Sequence, residues 1–269
     1  MPIGNLRDIT LRALDILTVA DVIYCEDTRV TSRLLSAYGL SKKLERCDDH
    51  TEQRRAAEIV AAINEGKIIA FVSDAGTPGI SDPGVALAAA CHEASAMVSP
   101  IPGPSAAIAA ISAAGIVQTG NFLFMGFLAP KSGARRKIFL EQQNTQATIV
   151  LYEAPQRVAE MLEDIQAIMG ERRIVIGREI TKLHEQFYHG TPSTLAPEVI
   201  KPNFKGEVVL LILPATEAET GWSDEKIDQA LMDLMKETSL KEAVAIVTAK
   251  SGLPRKTVYA RALGLDRGE

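Results

Sequence analysis

Glu26 and Asp27 end the run Val22-Ile23-Tyr24-Cys25 and are followed by Thr28, Arg29 and Arg33. Carboxylates at the end of a strand can act as general bases, although neighbouring side chains point apart and only one of the two would face a site. An N-cap by Asp27 or Thr28 explains the same residues equally well. Residues 72–84, VSDAGTPGISDPG, hold three glycines, two prolines and two aspartates directly after another apolar run. Glycines there let a ligand approach the backbone, and an aspartate accepts hydrogen bonds from hydroxyl or amino groups. The stretch has neither the GxGxxG spacing of a dinucleotide site nor the lysine of a GxxxxGK[ST] phosphate loop, so nicotinamide and ATP chemistries lose support.

A second dense turn, PIPGPSAAIAAISAAG (Pro100 to Gly115), leads into a helix of small residues. Its first turn presents free N–H groups from about Ser105 to Ala107, an arrangement suited to a carboxylate. Asp49, His50 and Glu52 form a conceivable metal set, but no helical HxxxH spacing supports ligation. Lys131, Arg135, Arg136 and Lys137 form one acid-free basic group and Lys250, Arg255, Lys256 and Arg261 another. On a chain of net charge −5 such segregation suits phosphate contacts, although short basic runs are commonly just solvated.

These residues need a scaffold, and the apolar pattern supplies an α/β one. Val22 to Glu26, Ile68 to Ser73 and Ala96 to Pro102 read as strands, whereas Ile9 to Ala20, Glu52 to Gly66 and Gly84 to Ala94 read as helices. Continuous apolar strands between helices suit a parallel sheet covered on both faces, whose ligands bind beyond the carboxyl ends of the strands. From Asn121 a second set of elements begins. The two adjacent strands RRIVIGREI and HEQFYHG, with no helical crossover, imply an antiparallel pair in a mixed α+β sheet. Residues 214–223 read as a polar linker. Beyond it, Asp224 to Lys236, Lys241 to Ser251 and Pro254 to Leu263 read as three amphipathic helices, with Ser223 as N-cap and Gly252 at a helix-turn-helix bend.

The 269 residues therefore divide into an N-terminal α/β domain (1–117), a second α/β domain (118–215) and a helical C-terminal region (222–269). Three cysteines without CxxC spacing point to buried thiols rather than disulfides or zinc. No apolar run reaches the roughly 18 residues of a membrane span, and no basic and apolar leader opens the chain, so a cytoplasmic protein with no membrane association is expected.

PIGNLRDITLRAL, EDTR, DHTEQ, VSDAGTPGISDPG, PIPGPSAAIAAISAAG, GFLAPKSGARRK, LYEAPQRV, REITKLHEQFYHG and KGEVVLLI run in order along nearly the whole chain. In these motifs it closely resembles the bacterial 16S rRNA (cytidine-2′-O-)-methyltransferases of the tetrapyrrole methylase (class III) superfamily. The resemblance implies two α/β domains with S-adenosylmethionine (SAM) folded in the cleft between them, usually in a homodimer. It implies SAM contacts at Asp74, Ala75 and Gly76, at Pro104, Ser105 and Ala106, at Tyr152, and near Gly206 and Glu207. It further implies that Asp27 and Arg29 lie near the reacting ribose and that Lys131, Arg135, Arg136 and Lys137 face RNA. The implied methyl acceptor is the ribose of a decoding-centre cytidine in 16S rRNA, free or within the small ribosomal subunit.

The sequence departs from that family pattern in Asp48 and Thr51, in an inserted-looking Ala129, and in beginning at Met1-Pro2-Ile3-Gly4-Asn5, where the family normally has an apolar strand before TPIGN. Such a strand would be central in the parallel sheet, so unpaired neighbouring edges are expected. Within this reading Asp27 is the expected proton acceptor for the 2′-hydroxyl, with Arg29 positioning a phosphate and no metal required. The alternatives are a class III methylase of a tetrapyrrole or other small acceptor, and a non-catalytic RNA-binding ribosome assembly factor.

Overall fold

The structure is a computed structural model that describes residues 1–115, 121–214, 222–236 and 238–266. The expected domain boundary at 117/118, most of the linker 214–223 and residues 267–269 lie outside the described residues. The chain divides into two compact units, Met1–Ser112 with Glu179–Glu185, and Ala113–Arg178 with Gln186–Glu269.

In the first unit, helices α1 (Leu11–Val19), α2 (Thr28–Ala37), α3 (Glu52–Asn64), α4 (Val85–Glu93) and α5 (Ala106–Ala113) accompany strands β1 (Val22–Cys25), β2 (Leu44–Arg46) and β3 (Ile69–Val72). The strands form a parallel sheet in the order β2-β1-β3. Side-chain alternation divides its apolar residues between two cores. Ile23, Cys25, Ala70 and Val72 pack with Leu17, Leu34 and Leu35 of α1 and α2, while Tyr24 packs with Ile59, Leu87 and Cys91 of α3 and α4. Covering both faces explains why these strands read as unbroken apolar runs.

One expected strand is absent: Ala96 to Pro102 forms no ladder. A strand requires a neighbour to satisfy its backbone, and β3 pairs with β1 but, among the described residues, with no second strand. The apolar run has β propensity and no partner.

The second unit holds β4 (Phe122–Phe127), α6 (Ser132–Gln142), β5 (Thr148–Glu153), α7 (Val158–Met169), β6 (Ile174–Arg178), β7 (Gln186–Gly190), α8 (Pro192–Val199) and β8 (Val208–Ile212). The sheet order is β4-β5-β8-β6-β7, with β4 and β5 parallel and the other pairs antiparallel, including the expected β6–β7 pair. Its core joins Ile149, Leu151, Ile174, Ile176, Leu210 and Ile212 of the strands to Met161, Leu162 and Ile165 of α7. Helix α8 has no counterpart in the sequence reading, because Pro192 and Pro197 look like breakers. Pro192 sits in the first turn, where a missing N–H costs nothing, and the burial of Leu195 and Val199 outweighs the bond lost at Pro197.

The same unit includes α9 (Asp224–Met235), α10 (Leu240–Ser251) and α11 (Arg255–Asp266), close to their expected spans. Ser223 caps α9 by accepting the Lys226 N–H at 3.3 Å. Ile227, Leu231, Val244, Val247, Leu253 and Val258 make a separate small core. Gly252 turns the chain between α10 and α11 at φ +71°, and a Cβ there would approach Asn144 O to 3.4 Å.

Candidate functional site

Three of the motifs meet beyond the carboxyl ends of β1 and β3. Asp74 Oδ1 accepts the Asp27 N–H at 3.0 Å, fastening the EDTR turn to the loop after β3. Thr77 Oγ1 donates to Pro104 O at 3.1 Å, fastening that loop to the turn before α5. Gly76 has φ +70° and exchanges both backbone hydrogen bonds with Met1, at 2.6 and 3.1 Å. The left-handed conformation there favours glycine. Ala75 beside it is exposed, and Pro104, Ser105 and Ala106 are half-buried.

Asp27 is the N-cap of α2: its carboxylate accepts the Arg29 backbone N–H at 2.8 Å and the Arg29 Nε at 3.0 Å. The Arg29 side-chain bonds hold the Asp27 carboxyl far below the usual carboxylate range, and the Arg29 side chain is itself 83% exposed. The capping reading of Asp27 is thus borne out locally, while Arg29 keeps donors turned to solvent.

Sequence reasoning did not single out Asp82, the second aspartate of the VSDAGTPGISDPG loop. Burial pushes its carboxyl up to about 6, Glu26, Asp74 and Asp49 add to the rise, and a hydrogen bond from the Ser73 side chain opposes it. Burial also raises Glu26 and Asp74, in the latter case against the pull of the Asp27 N–H. The signal in the sequence was the spacing: two aspartates eight residues apart in a loop that folds back on itself, Gly79 N–H meeting Pro83 O at 3.0 Å.

Of the conceivable metal set Asp49, His50 and Glu52, it is Glu52 that is engaged elsewhere, and Asp48 beside the set is occupied as well. Asp48 binds the Thr51 side chain at 2.8 Å and Arg46 at 2.7 Å. Glu52 is buried, and its Oε1 accepts the N–H groups of Gly84 and Leu87 at 2.9 and 2.8 Å. It caps α4 from a different helix, which the local sequence could not indicate.

In the second unit Tyr152, near the end of β5, packs edge-on against Phe124 and Phe127, with ring centroids 5.0 and 5.6 Å away. It pairs in register with Val209, so Gly206 and Glu207, just before β8, lie at the same end of the sheet. Buried Arg178, also missed, organises that loop by donating to Lys205 O at 2.9 Å and Asn203 O at 3.3 Å.

The basic group on α6 divides. Lys131, Arg136 and Lys137 are exposed, but Arg135 is fully buried, bound to Asp164 at 2.7 Å and to Pro130 O at 2.6 Å. The expectation that Arg135 faces RNA is corrected on this geometry: the periodicity of α6 turns it towards α7, and its donors are engaged inside the unit. Arg136 shares the same carboxylate at 2.6 Å while remaining half exposed.

Residues 1–196 match the family model for Tetrapyrrole (Corrin/Porphyrin) Methylases, and residues 222–266 match that for the RsmI C-terminal HTH domain. The chain belongs to the tetrapyrrole methylase family. Its relatives include proteins named ribosomal RNA small subunit methyltransferase I. That of Neisseria meningitidis serogroup B is 41% identical over 97% of this chain and 90% of its own length. The Synechocystis protein is 41% identical over 98% and 96%. Among solved structures, the methyltransferase CobJ covers 79% of this chain and 90% of its own at 20% identity and a TM-score of 0.60. A diphthine synthase covers 79% and 87% at 14% identity and 0.61. At these identities the two structures establish the fold alone.

As in the rest of this family, the methyl donor is S-adenosylmethionine. The first-unit loops suit such a ligand. Carboxyl groups at Glu26 and Asp74 and small residues at Ala75 and Ala106, which leave room for close approach to the backbone, fit a cationic ligand that carries an amino acid. Among the described residues no helix is long and apolar enough to cross a membrane.

Proposed function

We propose that this methylase transfers the methyl group of SAM to the 2′-oxygen of a decoding-centre cytidine in 16S rRNA, acting as a cytoplasmic homodimer on rRNA or the small ribosomal subunit. What carries the reading is the near-complete extent over which relatives named ribosomal RNA small subunit methyltransferase I match this chain. A basic group on α6 and a helical C-terminal region support it, because a small acceptor such as a tetrapyrrole needs neither.

Asp74, Ala75, Gly76, Pro104, Ser105 and Ala106 are the residues assigned to hold SAM, which supplies an activated methyl group on a sulfonium. The protein's part is to bring the 2′-oxygen in line with the methyl carbon, and such alignment is worth roughly 7–11 kcal/mol of barrier. As the oxygen–carbon bond forms and the carbon–sulfur bond breaks, the hydroxyl proton needs an acceptor. Asp27 is a weak base while Arg29 holds it, so its role here is to orient Arg29 towards a phosphate of the acceptor strand. Asp82 lies on the loop that Asp74 fastens to the EDTR turn, burial pushes its carboxyl up to about 6, and it is assigned the proton.

Nucleoside mapping of 16S rRNA after incubation with the purified protein and SAM tests the reading, with a single 2′-O-methylcytidine as the expected product. Methylation of a base, or of a tetrapyrrole in preference to RNA, would exclude it. In single-turnover assays the rate should rise through pH 6, and Asp82→Asn should remove that limb while leaving SAM affinity within about twofold. An unchanged pH profile would remove Asp82 from the mechanism.

A further inference from the structure

From Ala243 to Leu265 the C-terminal helices contain four basic side chains and no acid. The fold sorts the four. Arg261 is drawn to α9, where Asp224 and Asp228 bind it at 2.6 and 2.7 Å. Lys250 ends α10, and Arg255 and Lys256 begin α11 on the far side of the Gly252 turn. All three are exposed, and among the described residues none has an ion-pair partner.

Helical spacing places Tyr259 on the same face, four residues after Arg255 and three after Lys256, and the residue is 44% exposed. Ala260 and Gly264 flank that face and are exposed, so a backbone could approach closely. Val258 and Ala262, on the adjoining side of the helix, are buried against α9 and α10. The helix thus presents cations, one aromatic ring and small residues outward.

We propose that this face of α11, with Lys250, is an RNA-contacting surface: Lys250, Arg255 and Lys256 bind phosphates, and Tyr259 stacks on an unpaired base. The inference rests on the rRNA methylase reading above. Charge complementarity selects RNA as the occupant, because three free cations with no acid among them match a phosphate chain. A protein partner fits less well. Tyr259 and Met232 are the exposed large apolar side chains of the described C-terminal helices, too few for the apolar centre of a protein interface. An exposed ring beside cations is instead the usual platform for single-stranded nucleic acid.

The test uses the full chain and protein-free 16S rRNA, with binding measured across a range of potassium chloride concentrations. The triple variant Lys250→Gln, Arg255→Gln, Lys256→Gln should bind roughly 5–50-fold more weakly at moderate salt, and its log–log salt slope should be shallower by about two to three. Tyr259→Leu should weaken binding several-fold with the slope unchanged. SAM affinity and thermal unfolding should match wild type in both, because the altered side chains are exposed. A triple variant with wild-type affinity and slope would overturn the assignment of this surface alone. Absence of salt-dependent binding by the wild-type protein would overturn it together with the rRNA reading.

Discussion

Asp164→Ala in α7 probes whether Arg135 belongs to the core or to RNA. The Asp164 carboxylate is 2% exposed and serves Arg135 Nε at 2.8 Å, Arg136 Nε at 2.6 Å and Ser132 Oγ at 2.6 Å. Burial alone would raise its pKa, but Ser132, Arg136 and Arg135 together outweigh that and hold it below the ordinary range. With a depressed folded value, the stabilisation is present above the unfolded pKa of about 4 and is lost as pH falls through the folded one. Truncation leaves the buried Arg135 guanidinium with Pro130 O and, at 3.5 Å, the exposed Glu160. Stranding one member of a buried pair costs about 3–5 kcal/mol, a large share of the roughly 5–15 kcal/mol available to a folded unit. At about 2–4 °C per kcal/mol the melting temperature should fall by about 6–20 °C. The double change Arg135→Met, Asp164→Leu removes both charges and should recover most of the loss. Urea unfolding followed by circular dichroism measures both. A loss under about 1 kcal/mol for Asp164→Ala would refute the argument. So would an RNA salt slope in the double variant shallower than wild type by about one, since Arg135 would then be a phosphate contact.

Glu52→Ala should destabilise the first unit by about 1–3 kcal/mol, because two N–H groups at the start of α4 lose a buried acceptor. Glu52→Gln should cost less, and equal urea midpoints for wild type and Glu52→Ala would show that water replaces the carboxylate freely. For Asp82 the sign is opposite to the usual carboxylate. Its folded pKa, about 6, lies above the unfolded value, so the native state binds the extra proton and stability falls as pH rises from about 4 to 6. With Glu26, Asp74 and Asp49 facing the group and solvent screening part of the effect, Asp82→Asn should relieve about 1–3 kcal/mol at pH 7–8 and nothing at pH 4. Parallel pH–stability curves for the two proteins would contradict that assignment.

The sequence by itself determined the α/β character, the antiparallel β6–β7 pair, the Ser223 cap and the loops that follow β1 and β3. Each depends on local periodicity or on residues close in the chain, such as the glycines that permit a left-handed turn at Gly76. It also placed Asp27 and Asp74 at the carboxyl ends of strands, which parallel strands joined by helices bring to one edge, and the pairing of β1 with β3 makes the two ends neighbours. Tertiary structure decided what depends on a distant partner. Ala96 to Pro102 has the composition of a strand but lacks the neighbour a ladder requires, and Pro197 lies in a helix because burial outweighs propensity. Arg135 and Arg136 are adjacent and chemically alike and both bind Asp164, yet one is buried and the other half exposed, because one helical step of about 100° separates a side chain facing the core from one that reaches the carboxylate from the surface. Likewise no local pattern could show that Glu52 caps α4. Charge and burial are properties of the surroundings, and folding assembles those surroundings from segments far apart in the chain.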